Sequence, residues 1–219
     1  MRRAYVVVGI LVLTASCSGK PNDLRHYADP VTTTTSTAAP TSTTTRSAAP
    51  TTTSSTPDTA ALAAAVTSGL MVDSSVAEIG FHPSVPQKAT VLTTLPACSA
   101  PLGTAATGAQ TGWVGGSAVT TLTEYVADYP KTTGAQVLAA AKAALTCSQA
   151  TKYALASPPV GVDASYAWCE KGTQPSCTVL LAKGHLLARV QVITTNEAKA
   201  QNLITQVAVP AATKLAATD

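Results

Sequence analysis

Charge is scarce in this chain of 219 residues: Asp, Glu, Lys and Arg make up only 11%, and aromatic residues only 4%. So low a charge excludes the strongly self-repelling chains that stay unfolded in water. The formal balance of +3 sets 14 Lys and Arg against 11 Asp and Glu, and two of the cations, Arg2 and Arg3, sit at the extreme amino terminus. Without that pair the balance is about +1, so no basic patch exists to hold a nucleic acid, and none is expected as a partner.

Histidine is nearly as scarce, with only His26, His82 and His185. There is no HExxH helix and no CxxC pair, so neither a zinc site nor a dithiol redox centre is expected, and no cofactor is expected either. Gly115-Gly116-Ser117-Ala118-Val119 carries a serine after glycine but has Val119 where a nucleophile elbow needs glycine. The Gly pair reads better as a turn before a strand. Asp73, Glu78, Asp128, Asp163 and Glu170 are scattered at no spacing that suggests a carboxylate pair. The expectation is a protein without catalytic residues.

What the chain does have begins at its amino terminus. Arg2 and Arg3 precede an uncharged apolar run over residues 4–15, and small residues lead into Cys17. That is the anatomy of a signal peptide, and the run is shorter than the roughly 20 residues a membrane span requires. Leu13-Thr14-Ala15-Ser16-Cys17 resembles the bacterial lipobox, with Thr14 in place of the commoner leucine. Residues 1–16 are therefore expected to be removed and Cys17 to carry acyl chains, two or more of which anchor a protein stably to a membrane. No second apolar run of spanning length follows, so no downstream segment is expected to cross.

Residues 17–57 read as a tether. Over 31–57, 18 of 27 residues are Ser or Thr, punctuated by Pro40, Pro50 and Pro57. Such a segment buries too little to offset the entropy of ordering it, and Thr beside Pro is also the composition of O-glycosylated stalks. As a flexible coil it would span about 35 Å, and fully stretched about 130 Å.

Residues 58–219 read as one domain. The apolar spacing predicts a helix over 58–71, a short strand over 76–81 and an ambiguous stretch over 87–95. Gly- and Ala-rich sequence over 99–116 reads as loop, and 118–126 as a strand. Thr132 or Thr133 should cap a helix running to Cys147. Three strands over 165–170, 177–182 and 185–194 follow, the last two joined by Lys183-Gly184 as a hairpin turn. A last helix, capped by Thr195 or Asn196, is expected to stop near Val209 before Pro210. The pattern favours an α+β fold, an antiparallel sheet with helices packed on one face.

With Cys17 set aside, Cys98, Cys147, Cys169 and Cys177 form an even set in an exported chain, so two disulfides are expected. Three connectivities are open. Pairing Cys98 with Cys147 and Cys169 with Cys177 is favoured, because the second pair flanks the loop of a predicted hairpin. For a ligand groove the candidate residues are Trp113, Tyr125, Tyr166, Trp168, His185 and Arg189, and Tyr129 is a further aromatic. Tyr166 and Trp168 share a strand face, and core packing is the competing role for the aromatics.

Leu95-Pro96-Ala97-Cys98, a strand ending at Tyr125, a helix ending at Cys147, then Trp168-Cys169 and Cys177-Thr178-Val179 form an ordered pattern. In it the chain resembles mycobacterial cell-envelope lipoproteins that carry a PknH-like extracellular sensor domain. The resemblance implies an α+β sensor-like domain with a cleft, two disulfides and no activity of its own. The partners expected of such an envelope module are the membrane, through its lipid anchor, and a glycolipid, a peptidoglycan fragment or another envelope protein. A protein-docking lipoprotein and a lipid or glycolipid carrier are the alternative roles, and the carrier would need a large apolar cavity.

Overall fold

In the computed structural model the described residues are 58–96, 98–116, 119–147 and 150–218. The expectations for the signal peptide, Cys17, His26 and the tether fall outside them. In chain order the elements are α1 (Thr59–Gly69), α2 (Asp73–Ala77), β1 (Phe81–Ala89), β2 (Thr107–Gly115), β3 (Thr121–Asp128), α3 (Gly134–Ala143), β4 (Ala150–Tyr153), β5 (Ala164–Glu170), β6 (Ser176–Lys183), β7 (Leu186–Ile193) and α4 (Glu197–Ala216). The strands make one sheet in the order β1-β2-β3-β7-β6-β5-β4. Every neighbouring pair is antiparallel, as the α+β reading requires.

Alternation along β7 shows how the sheet divides the interior. Ala188, Val190 and Val192 join the first core, under α1, α2 and α4, where Ile204, Val207 and Leu215 of α4 are also buried. Leu187 faces the opposite way, into a second core closed by α3 and the segment before β2. Three helices thus gather on one face, as expected, while α3 lies on the other.

Local chemistry explains the element ends. Asp58 caps α1 by accepting from the Ala60 N–H at 2.9 Å. The helix stops at Gly69 rather than at residue 71, because the Met71 N–H is taken by the Glu124 carboxylate on β3 at 2.7 Å. Thr133 caps α3 with Gln136 reaching back to the cap's own N–H, and Asn196 caps α4. Contrary to the reading that no second run of spanning length follows the amino terminus, Thr59–Ala77 taken as one stretch is long and apolar enough to cross a membrane. It folds instead as two helices about a corner bonded to the sheet.

Several expectations are corrected. The stretch over 76–81 is not a strand: Ser75 bonds the Val72 backbone, α2 forms, and Val76 drops into the first core. Residues 99–116 are not all loop, since β2 occupies their second half. Its small residues are needed for close approach: a Cβ on Gly108 would meet the Thr90 carbonyl oxygen at 2.5 Å. The β6–β7 turn is Gly184-His185, not Lys183-Gly184, because Lys183 pairs with Leu186. Gly184, at φ 53°, takes the first central position, as a type II′ turn demands. Strand β4 was not anticipated. Nor does Pro210 end α4, which continues to Ala216. The carbonyl deprived of its partner belongs to exposed Gln206, while Ala211, Ala212 and Leu215 beyond the proline bury in the first core.

The disulfides are Cys98–Cys147 and Cys169–Cys177, the favoured pairing. Cys169 and Cys177 face each other directly across β5 and β6 and are fully buried. Cys98 and Cys147 are half-buried and join the segment before β2 to the one after α3.

Helix α3 is seated through one small residue. The Gly134 N–H donates to the Gly184 carbonyl at 2.9 Å, and a Cβ on Gly134 would lie 2.0 Å from the Leu186 carbonyl oxygen. That backbone cannot yield without moving α3 off the sheet. Gly134→Ala is expected to cost about 3 kcal/mol or more in urea unfolding, the upper range for overpacking. Gly116→Ala, with open space around it, should stay within about 1 kcal/mol of the parent.

Candidate functional site

Four of the six candidate groove residues come together on the sheet's second face. Tyr125 on β3, Arg189 on β7, Leu180 on β6 and Tyr166 on β5 stand in one cross-strand row, with Trp168 one pair further along β5. Tyr166 and Trp168 stack with centroids 5.8 Å apart, and the Lys142 ammonium from α3 lies 5.1 Å above the Tyr166 ring. Tyr125, Trp168 and Arg189 are buried and Tyr166 is half-buried. Arg189 donates to the Gln191 side chain, and Trp168 Nε1 donates to Glu170 at 2.8 Å. Burial lowers the Arg189 guanidinium to about 10, with the Glu170 charge opposing that fall, so it stays protonated at neutral pH. Tyr125 Oη accepts from the Leu92 N–H at 3.0 Å, and burial raises its phenol. The group works as a polar seam inside the second core, beneath a cover stapled by Cys98–Cys147. Glu170 also approaches both sulfurs, but these are bonded to each other and offer no thiolate to a metal.

The other two candidates lie elsewhere. His185 is exposed in the β6–β7 turn, where Nδ1 donates to the Thr132 carbonyl at 2.8 Å. It stands close enough to Asp128 for its charge to oppose the rise that burial imposes on that carboxyl. Trp113 belongs to the first core, on β2, and is buried.

Trp113 also lines an open cleft of about 410 Å³. The corner between α1 and α2, with Met71, Val72 and Asp73, makes one side, and Pro83, Val85, Pro86 and Gln87 of β1 the other, with Thr111 and Trp113 at the floor. Trp113 Nε1 donates to Asp73 Oδ1 at 2.7 Å, Thr111 Oγ1 to the Val85 carbonyl at 3.1 Å, and Gln87 to Thr67 at 3.1 Å. Behind the floor stands Glu124, directly across from Thr111 and 0% exposed. One carboxyl oxygen accepts from Met71, which itself lines the cleft. The other has no partner among the described residues. Burial raises this carboxyl to about 8, against a smaller lowering by the Met71 N–H.

Comparison with known proteins gives structural neighbours alone. No family model and no curated protein matches the chain. Its structure is similar to the extracellular domain of PknH from Mycobacterium tuberculosis, at 11% identity and a TM-score of 0.47, over 72% of this chain and 97% of that one. It is also similar, at 8% identity and a TM-score of 0.35, to an uncharacterized Mycobacterium smegmatis protein, the Rv0999 ortholog, over 64% of this chain and 97% of that one.

Sequence reasoning passed over Glu124. The available signal was parity: Glu124 shares its strand face with Leu122 and Val126, so a carboxyl stood where the alternation demands an apolar residue. Asp73 is one of the acids scattered along the sequence. Its approach to Trp113 joins residues 40 positions apart and is visible only in the fold.

Proposed function

We propose that this chain is a lipid-anchored, extracytoplasmic binding module of the sensor-like kind, without catalytic activity of its own. The observation that carries the reading is the cleft beside Trp113, with the buried Glu124 carboxyl behind its floor, one oxygen of which has no partner among the described residues. A buried polar atom without a partner costs free energy, and proteins retain such atoms where they serve something other than stability. Two disulfides within the domain fit an oxidising compartment. The arginine run, the lipobox and Cys17 supply the route there and the anchor. His82 and His185, the histidines of the domain, are exposed on separate elements, and neither has a serine or cysteine thiol bonded to it among the described residues. A carrier for whole lipids fits less well, because the clefts here are open and of about 240 to 410 Å³.

The test is mass spectrometry of the full chain recovered from the membranes of an exporting mycobacterial host. Its denatured mass should equal residues 17–219 plus acyl chains, with four cysteines oxidised. Its native mass should exceed that by a bound small molecule. A clean apo mass in repeated isolates would shift the reading to a protein-docking lipoprotein, and an unacylated mass would remove the anchor.

A further inference from the structure

Among the described residues, Cys98, Cys147 and Glu170 bring together two sulfurs and a carboxylate oxygen that all lie within 4.8 Å of one another. All three side chains are half-buried, within reach of solvent. Backbone contacts hold each of them without help from the Cys98–Cys147 bond. Cys98 sits in a turn closed by the Leu95 N–H on the Ala100 carbonyl at 2.8 Å and the Leu102 N–H on the Thr93 carbonyl at 2.9 Å, and Leu95, Ala100 and Leu102 are buried. Cys98 and Ser99 take left-handed backbone there, at φ 64° and 49°, which residues other than glycine keep only where their surroundings impose it. The Cys147 carbonyl accepts from the Ala150 N–H at 3.2 Å, and Ala150 stands directly opposite Glu170 in the β4–β5 ladder. Glu170 is oriented by Trp168 Nε1, which donates to its Oε1 at 2.8 Å.

From this arrangement we infer that reduction of Cys98–Cys147 creates a zinc site, in which the two thiolates and the Glu170 carboxylate bind one cation and water takes the fourth place. The closed disulfide offers no thiolate, so the site belongs to the reduced chain alone. Two molecules of a small thiol, RSH, supply the electrons: the S–S bond breaks, Cys98 and Cys147 become thiols, and RSSR leaves. Zinc then displaces one proton from each thiol to solvent. RSSR reverses the exchange: the two thiolates are oxidised back to the staple, two RSH leave after taking protons from solvent, and zinc is released. Thiolates select zinc over calcium or magnesium, which prefer oxygen. Two sulfurs, one oxygen and a water complete the four-coordinate geometry zinc takes, and the indole N–H on Glu170 fixes the orientation of its ligand. Cys169 and Cys177 have no third donor beside them among the described residues, so only one of the two staples has this second state. The zinc site does not depend on what the cleft beside Trp113 binds.

The test uses the full chain in detergent, its Cys98–Cys147 bond opened by a phosphine that is then removed without air, and cadmium as a spectroscopic stand-in for zinc. One equivalent of cadmium is expected to produce the ultraviolet absorption of cadmium–thiolate bonds in the reduced chain but not in the oxidised one, and zinc should displace it. Zinc should also slow alkylation of Cys98 and Cys147 at least about tenfold, read by peptide mass mapping. Glu170→Gln, which keeps an acceptor for the Trp168 indole, should still form the staple but hold cadmium at least about tenfold more weakly. Parent-level affinity in that variant would mean that two thiolates act alone, and would overturn the three-donor site. Absence of thiolate absorption, full alkylation of the two cysteines with zinc present, or opening of all four cysteines together under the phosphine would overturn it as well.

Discussion

Unfolding free energy is expected to fall as pH rises from about 4.5 to about 8 and then to level off, with most of that slope absent in Glu124→Gln. A carboxyl whose pKa is raised to about 8 in the folded protein from an ordinary 4.5 binds its proton more tightly folded than unfolded. Its favourable contribution is complete below the lower value and lost progressively as pH climbs to the higher one. The slope is about 1.4 kcal/mol per pH unit, and the whole loss is at most about 5 kcal/mol. Against a usual stability of about 5–15 kcal/mol that is a large fraction. Asp128, also raised by burial, acts in the same direction and leaves a residual slope in the variant. Urea unfolding at a series of pH values checks this. The two curves should converge near pH 5, with Glu124→Gln the more stable near pH 8; a flat wild-type curve would show that Glu124 is not held protonated.

The second large effect concerns the staples. Replacing Cys98 and Cys147 together by alanine is expected to cost about 4 kcal/mol, and replacing Cys169 and Cys177 about 2.5 kcal/mol before any cavity penalty, because closing a longer loop removes more entropy from the unfolded chain. The loops span 49 and 8 residues. Access reverses the order of vulnerability. Cys98–Cys147 is half-buried at the surface of the second core, whereas Cys169 and Cys177 are 1% and 0% exposed between two strands. Under mild reductant the Cys98–Cys147 bond should open first, and alkylation followed by peptide mass mapping should find label on Cys98 and Cys147 while Cys169–Cys177 survives. Label appearing on all four at one rate would mean that reduction proceeds through global unfolding.

How far the sequence revealed the fold depended on whether the decisive signal was local. β5, β6 and β7 carry apolar β-favouring residues and a glycine turn, so their existence and, to within one residue, their boundaries are legible, as are the α3 and α4 caps to within one of two adjacent residues. The disulfide pairing followed from the hairpin that brings Cys169 opposite Cys177. β2 was hidden because its glycine and alanine content, normally a loop signature, answers a packing need imposed by Thr90 and Tyr125 of other segments. Pro210 failed to stop α4 because the buried residues beyond it outweigh one lost hydrogen bond whose acceptor faces solvent. The candidate aromatics were recognised as a set, but the set divides between two faces of the sheet. Parity along a single strand does not say which face a distant strand shares.

By itself, then, the sequence determined what rests on neighbours in the chain: the Ser- and Thr-rich composition ahead of the domain, the residues able to cap helices, the alternation of β7 and the four cysteines that remain beside Cys17. Tertiary structure alone decided where the lone charges went. Glu124 became a buried, proton-holding carboxyl because α1, β2 and β7 exclude water around it. Arg189 became part of a sealed polar seam because α3 and the segment before β2 close over the second face. A charged side chain takes its properties from the dielectric and the partners that surround it, and those are supplied by residues remote in the chain.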